Sequence, residues 1–301
     1  MKSTKVQLVQ TIKDDEGMRI DNYLTRHAKG VPKTRIYRAI RSGEVRIDSK
    51  RVKPSQRLVE GMTIRIPPLV QKEQSTYVVD PKIAKDWIVY EDDQVIVVNK
   101  PKTVSVHAGS NQKWGVVDAV SALCEKKCYL VHRLDKEVSG VLILAKSRVA
   151  CKTILAKWHD KKCVKTYQAI VFGKVTSKRV ISTPLSAKDE EGSKDKEAKS
   201  IITPLVTKKN ISWVDVRIST GRYHQIRRHL SSESTPIVGD DKYGLFEENR
   251  AFGKEYRIKT LWLHAASNTF WHPDGRWHTI EIDWPKNMSQ WLVAFFENKR
   301  S

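Results

Sequence analysis

The feature that most limits the fold is a series of short apolar runs closed by polar, Gly or Pro residues. They are Val95-Ile-Val-Val98, Val141 to Ala145, Tyr167 to Phe172, and the alternating Val214, Val216 and Ile218. Runs of this length suit strands, are too brief for long core helices, and are far too short to cross a bilayer. A late pair, Trp262 to Phe270 and Trp277 to Ile282, reads as a hairpin closed near Asp274-Gly275. Helical spacing is confined to segments near 148–159, 224–231 and 289–298. The stretch 87–301 is therefore predicted to be one α+β domain built on a mixed or antiparallel sheet, not a doubly wound parallel one.

A smaller unit precedes it over 14–68. Ile20, Tyr23, Leu24 and Ala28 recur at helical spacing before Gly30, a C-cap, and Pro32 then opens a second helix that turns Ile36 and Ile40 inward and ends at Gly43. Val45 and Ile47, the turn Asp48-Ser49-Lys50, then Val52, Ile64 and Ile66 supply short strands. The expected arrangement is a small αα hairpin followed by β structure. Residues 1–13 read as an N-terminal arm and 69–86 as a linker, with a brief strand at Tyr77 to Val79. The charged segment Asp189 to Lys199 is expected to be a mobile loop between strands.

Charge narrows the partner. The chain carries 55 Lys and Arg against 34 Asp and Glu, a net +21, more than solubility needs and suited to a polyanion. The first ten residues hold lysines but no apolar h-region, so no secretory signal is read, and the expected location is the cytoplasm with no membrane partner. Cys124, Cys128, Cys151 and Cys163 form no C-x-x-C pair, so no metal site is expected from them. In the small unit, Lys33, Arg35, Arg38 and Arg41 on the second helix, and Arg46, Lys50, Arg51 and Lys53 around the turn, make a basic surface suited to phosphates.

Three strings carry possible chemistry. His132-Arg-Leu-Asp135-Lys-Glu-Val-Ser-Gly140 delivers a carboxylate on a polar loop just before an apolar strand, although loop aspartates commonly cap turns. Gly221-Arg222-Tyr-His-Gln-Ile-Arg227 opens a helix whose Arg227 suits either a phosphate or a buried carboxylate. In Lys165-Thr-Tyr167-Gln-Ala169 a tyrosine opens a strand, where it serves as amphipathic core or stacks on a base.

The small unit resembles the S4-type RNA-binding domain in its segments 19–24, 33–48 and 59–67, with Asp-Ser-Lys at the turn where that family often has Asn-Gly-Lys. The larger part resembles the pseudouridine synthases of the RluA family. The matching strings are Asn99-Lys100-Pro101 with Val106-His107, His132 to Asp135 with Ser139-Gly140, Lys165 to Ala169, Gly221 to Arg227, Pro236 to Asp240 and Leu263-His264-Ala265. Three positions depart from the family pattern: Thr103 replaces a Gly, Val138 a Thr and Tyr223 a small Thr or Ser.

The resemblance implies an enzyme that isomerises uridines of 23S ribosomal RNA by flipping the nucleotide, with no cofactor, acting by default as a monomer. It implies that Asp135 acts at the sugar, as nucleophile at C1′ or as base at C2′, that Tyr167 lies against the uracil, and that Arg227 pairs with Asp135. Arg133 and Arg222 would hold phosphates or fill the vacated stack. A non-catalytic RNA-binding or ribosome-assembly factor fits the charge equally well but has no need of a carboxylate facing a polyanion. A DNA-binding regulator using helix 33–41 leaves two thirds of the chain without a purpose.

Overall fold

A computed structural model describes residues 6–28, 31–69, 80–108, 112–186, 195–258 and 260–297. The chain divides into two compact units, 1–77 and 78–301. Gly30, the strand expected at 77–79 and residues 189–194 of the charged segment lie outside the described residues. Within that segment, however, Lys196 bridges Leu185 and Ala198 is fully buried, so residues 196–198 are part of the folded domain.

The small unit contains β1 (Gln7–Gln10), α1 (Ile20–His27), α2 (Lys33–Arg41), β2 (Arg46–Ile47), β3 (Lys50–Arg51) and β4 (Thr63–Ile66). Its sheet runs in the order β1-β4-β2-β3. Gln7–Gln10, read from the sequence as part of an arm, pairs antiparallel with Ile66–Thr63 and so belongs to the sheet. Both helices put their apolar stripe, Ile20, Tyr23, Leu24, Ile36 and Ile40, into one core with Val45, Ile47, Leu58 and Ile64. Asp48 and Ser49 form a two-residue hairpin loop, both at positive φ, which matches the right-handed twist of the flanking strands. Asp48 also accepts the Thr63 N–H, tying the turn to β4.

The large unit comprises α3 (Lys82–Lys85), β5 (Ile88–Glu91), β6 (Val95–Lys100), α4 (Val116–Leu123), β7 (Tyr129–Leu130), β8 (Ser139–Ala145), α5 (Arg148–Ala156) and β9 (Lys165–Phe172). It continues with β10 (Arg179–Ile181), β11 (Ser200–Lys208), β12 (Ile211–Ile218), α6 (Gln225–Ser232), α7 (Phe246–Tyr256), β13 (Leu263–Trp271), β14 (Trp277–Glu281) and α8 (Lys286–Leu292). Eight strands form a path β10-β11-β12-β9-β13-β8-β6-β5, to which β14 and β7 attach through β13 and β8. Among the described residues every pairing is antiparallel except β13 with β8. The fold is thus the expected α+β arrangement on a mixed sheet, and α3, placed in the linker by sequence, buries Ala84 in the domain core.

The apolar runs of β6 and β8 follow from burial on both faces. Val95, Val97, Val141 and Ile143 point to one core, covered by Ala150 and Ile154 of α5, whereas Ile96, Val98, Leu142 and Leu144 point to the other, covered by Val116 and Val120 of α4. The four cysteines are free thiols, three of them buried.

The parallel seam fixes where the chain ends of β8 and β13 meet. Ser139 pairs with His264 and Gly140 with Ala265, and the Ser139 hydroxyl lies 2.9 Å from His264 Nδ1 while His264 Nε2 meets the Ile282 carbonyl at 3.0 Å. Gly140 has φ +111°, and a Cβ there would stand 2.2 Å from the Ala265 carbonyl oxygen. Gly140→Ala is therefore expected to cost about 3 kcal/mol or more, from left-handed backbone strain plus overpacking, read as a lowered urea midpoint.

Two buried histidines give the fold a pH signature. Burial pulls His132 down to about 3 and His264 down to about 4. Both stay neutral in the folded chain while the unfolded chain protonates them near the ordinary value of about 6.5. Their contribution is complete above about pH 6.5 and is lost as pH falls toward 4, at up to about 1.4 kcal/mol per pH unit for each group. Urea midpoints should fall over that interval while the ring resonances of His132 and His264 in the native protein stay constant above pH 5.

Candidate active site

At the seam the chain builds a cavity of about 410 Å³ lined by Arg133, Asp135, Tyr167, Arg222, Tyr223, His224 and Arg227, with Leu134, Val138, Ile218 and Leu263 as apolar walls. The loop before β8 presents Asp135 because its neighbours are anchored. Leu134 and Val138 are core residues, His132 is buried with Nε2 accepting the Ile143 N–H at 3.1 Å, and the Asp135 carbonyl accepts the Val138 N–H. Asp135 itself keeps about a third of its side chain open to the cavity.

A buried ammonium ties this loop to the rest. Lys100, fully buried at the end of β6, donates to the carbonyls of Pro101, Val104 and Lys136 at 2.8 to 2.9 Å, one proton for each acceptor. Burial draws Lys100 down to about 7, against the pull of Glu137 and Asp135. Lys102 is also brought down to about 7 by burial and donates to the Leu261 carbonyl. Directly after them Thr103 sits at φ +66°, a left-handed position that is costly for a β-branched residue and natural for the glycine that the family pattern has there.

On the opposite wall Gln225, buried, ties the turn before α6. Its side-chain oxygen accepts from the Thr220 hydroxyl and the Arg222 N–H, and its amide donates to the Lys199 carbonyl. His224, just before α6, adopts a left-handed φ of +49° that turns its ring to the cavity, with Nε2 3.6 Å from Asp135 Oδ2. Tyr223 stacks on that ring at 3.8 Å and stays 40% exposed. Burial lowers the His224 pKa and the Asp135 charge opposes it.

Arg227 lines the cavity but does not ion-pair with Asp135, in contrast to the expectation. Its guanidinium forks onto the Asp240 carboxylate at 2.8 and 2.7 Å and reaches Asp241 at 3.2 Å. Burial by itself would raise the Asp240 carboxyl, yet Arg227 and the N–H groups of Tyr243 and Lys242 hold it below the usual carboxylate range. Two charges that are both buried satisfy each other first, because an unpaired one would bear the full desolvation cost. Arg227 therefore acts on Asp135 through its field. Tyr167, on β9, borders the same cavity, and burial, then the Asp135 charge, push its phenol well above the ordinary range.

Of the predicted site residues, Asp135, Tyr167, Arg227, Arg133 and Arg222 share this cavity, although Arg222 also donates to the Glu197 carbonyl. The sequence reading missed His224 and Asp240 as functional groups. Both stood inside quoted strings, but only their distances to Asp135 and Arg227 single them out. In the small unit Lys33, Arg38 and Arg41 line one exposed depression, and Lys50 and Arg51 are exposed on β3. Arg35 faces elsewhere and forks onto Glu44 at 3.3 and 2.7 Å. It thus belongs to an ion pair rather than to the open surface.

No described helix is long and apolar enough to cross a membrane. Away from the cavity, His272, Asp274 and His278 at the β13–β14 hairpin bring ligand-type atoms within 4.8 Å of one another, and His278 already meets Asp274 at 2.9 Å.

Comparison with known proteins matches residues 94–232 to the RNA pseudouridylate synthase family and residues 18–64 to the S4 domain. A "Ribosomal large subunit pseudouridine synthase C" of Vibrio vulnificus is 38% identical over 287 residues, covering 90% of each chain. The protein of that name from Escherichia coli K12 is 38% identical over 297 residues, covering 93% of each, and that from Salmonella typhi is 37% identical over 98% of this chain and 97% of its own. Among solved structures, human RNA Pseudouridylate Synthase Domain Containing 4 shares the fold, with a TM-score of 0.59 at 24% identity over 70% of this chain and 94% of its own. At that level of identity, sustained over nine tenths or more of both sequences, the chain belongs to the RNA pseudouridine synthases.

Proposed function

We propose that this chain converts uridines of the 23S ribosomal RNA of the large subunit to pseudouridine in the cytoplasm, with Asp135 acting at the ribose of a flipped-out nucleotide. The observation that carries the reading is a lone, partly open carboxylate in a cationic cavity of about 410 Å³ beside an aromatic side chain. The names of the relatives support the choice of RNA.

The reaction breaks the N1 to C1′ bond, turns the uracil and joins C5 to C1′, leaving the atoms of the nucleotide unchanged in number. Asp135 serves either by attack on C1′ or by taking the C2′ proton. Its position suits both roles. The carboxylate oxygens are not held in a fork, so a lone pair stays available, and Arg227 reaches them only through its field. Tyr167 borders the same space, where its ring would hold the detached uracil while it rotates. With its phenol pushed up in pKa, Tyr167 stays protonated at neutral pH and is a weak base in the unliganded site. Removal of the C5 proton by this residue would require its oxygen to lose a proton in the reacting complex. Arg133 and Arg222 at the cavity rim suit the phosphates on either side of the everted base.

The small unit would grip neighbouring RNA through Lys33, Arg38, Arg41, Lys50 and Arg51, with Arg35 left out by its pairing to Glu44.

Asp135→Asn should retain RNA affinity and the native urea midpoint while tritium release from C5-labelled uridine in a 23S transcript falls by at least about 10³-fold, as expected for a lost nucleophile or base. Near-wild-type release would remove Asp135 from the mechanism, and loss confined to binding would favour a pure RNA binder. Replacing Arg38 and Arg41 by Ala should weaken transcript binding at physiological salt and flatten the plot of log Kd against log salt by about 1 for each phosphate contact removed. An unchanged slope would exclude this depression as a phosphate site.

A further inference from the structure

The helix α7 carries a surface that the reaction itself does not use. Phe246 is 76% exposed at its start, an unusual position for a phenylalanine with so much core available. Arg250 and Lys254 follow at i+4 and i+8, on the same side of the helix as Phe246, and Arg257, just past the helix end at a left-handed φ of +57°, lines the same groove. Glu248 and Glu255 lie on the opposite side and Phe252 packs into the domain core, while Glu247 flanks the Lys254 edge of the cationic side. The exposed side is therefore both aromatic and cationic.

This side borders a groove of about 950 Å³ that Gly239, Gly244 and Gly253 also line. At Gly239 a Cβ would stand 2.1 Å from the Thr260 carbonyl, and at Gly244 2.3 Å from the Asp240 carbonyl. Close packing thus leaves no room for side chains there. Asn249 fixes the helix to the same turn, its side chain accepting the Gly239 N–H at 2.7 Å and donating to the Asp240 carbonyl at 3.0 Å. Asp240 and Asp241 form the far wall, and both bind Arg227, which lines the cavity of Asp135. The ion pairs of Arg227 with Asp240 and Asp241 thus join a residue of the cavity to residues of the groove.

We propose that this groove is a second RNA subsite, in which one unpaired base of the substrate strand stacks on Phe246 while Arg250, Lys254 and Arg257 hold its phosphates. An exposed ring followed by cations at single-turn spacing is what a single strand of stacked bases and regular negative charge recognises. A protein partner would bury the ring without needing three cations along one groove. The assignment rests on the reading of the Asp135 cavity as the place where the uridine is everted, because a strand leaving that cavity past the Arg227–Asp240 pair reaches this groove.

The test is Phe246→Ala, with Phe246→Trp as the conservative variant and Arg250→Ala with Lys254→Ala as the charge variant, measured on an unmodified 23S transcript by filter binding and C5 tritium release. Because these side chains are exposed, native urea midpoints should be unchanged. Phe246→Ala should raise Kd and KM by about 5- to 100-fold, the effect of one lost stack, with kcat little altered, and Phe246→Trp should restore both. The charge variant should reduce the salt slope of binding. If Phe246→Ala and the charge variant bind and react as the wild type does, the subsite is wrong and the function proposed for the cavity stands. If the wild-type chain neither binds nor modifies the transcript, both readings fall.

Discussion

Two backbones meet at Gly140 and Ala265 more closely than any side chain would permit, and the candidate site stands on that contact. In a sheet whose other pairings are antiparallel, the one parallel pairing brings the entry to β8 and the entry to β13 to the same end. The Asp135 loop feeds β8, Leu263 opens β13, and β9 lies beside β13 with Tyr167 two residues from its start. Residues 135, 167 and 263 thus line one cavity because of strand direction. The Ser139–His264 hydrogen bond locks the same seam from the side-chain direction, which makes the seam a joint requirement of stability and of site geometry.

Given the seam, the electrostatics of the cavity are a matter of which charges are already spoken for. A chain of net +21 has cations in excess near any carboxylate, and a direct pair with one of them would cover Asp135. The structure removes the nearest candidates from competition. Lys100 and Lys102 donate to backbone carbonyls, and Arg227 is held by Asp240. His224, at 3.6 Å, is beyond hydrogen-bond length and is shifted by burial toward its neutral form. Asp135 consequently sits in a positive field with its oxygens uncovered. Uncovered oxygens leave the group free to react, where a bidentate ion pair would occupy them.

Much of this was legible in the sequence, and the rest was not, for specific reasons. The strands β6, β8, β9 and β12 could be read because burial on one or both faces writes itself as period-two or continuous apolar residues. Strand β11 was missed because its sequence, with Pro204 and a bulge before Val206, carries no clean alternation, and α7 because Glu, Asn, Arg and Lys dominate it. Gln7–Gln10 was taken for an arm because its pairing partner lies more than fifty residues away, and so is invisible to any local pattern. In the site, Asp135 and Tyr167 announced themselves by their strings. The partner of Arg227 did not, since Asp135 and Asp240 are equally acidic on paper and only the fold decides which of them is within reach.

The three departures from the family pattern show how a fold absorbs change around a site it must keep. Val138 fills a core position at 2% exposure, where a hydroxyl would need a partner, so the loss of one costs the packing nothing. Thr103 keeps the left-handed turn of a glycine, with its hydroxyl donating to the Lys102 carbonyl at 2.6 Å and Gln112 donating to its own carbonyl at 3.1 Å. Those bonds hold a strained residue in the very loop that Lys100 ties to the Asp135 loop, so local strain is borne beside the site and not within it. Tyr223 differs in kind. It adds an exposed ring stacked on His224 at the cavity rim, whereas Val138, the other departure that lines the cavity, only continues its buried apolar wall. Differences in substrate choice between this chain and its relatives should therefore be sought at Tyr223 and along the α7 groove, where exposed surface is free to vary, and not among the anchored residues of the seam.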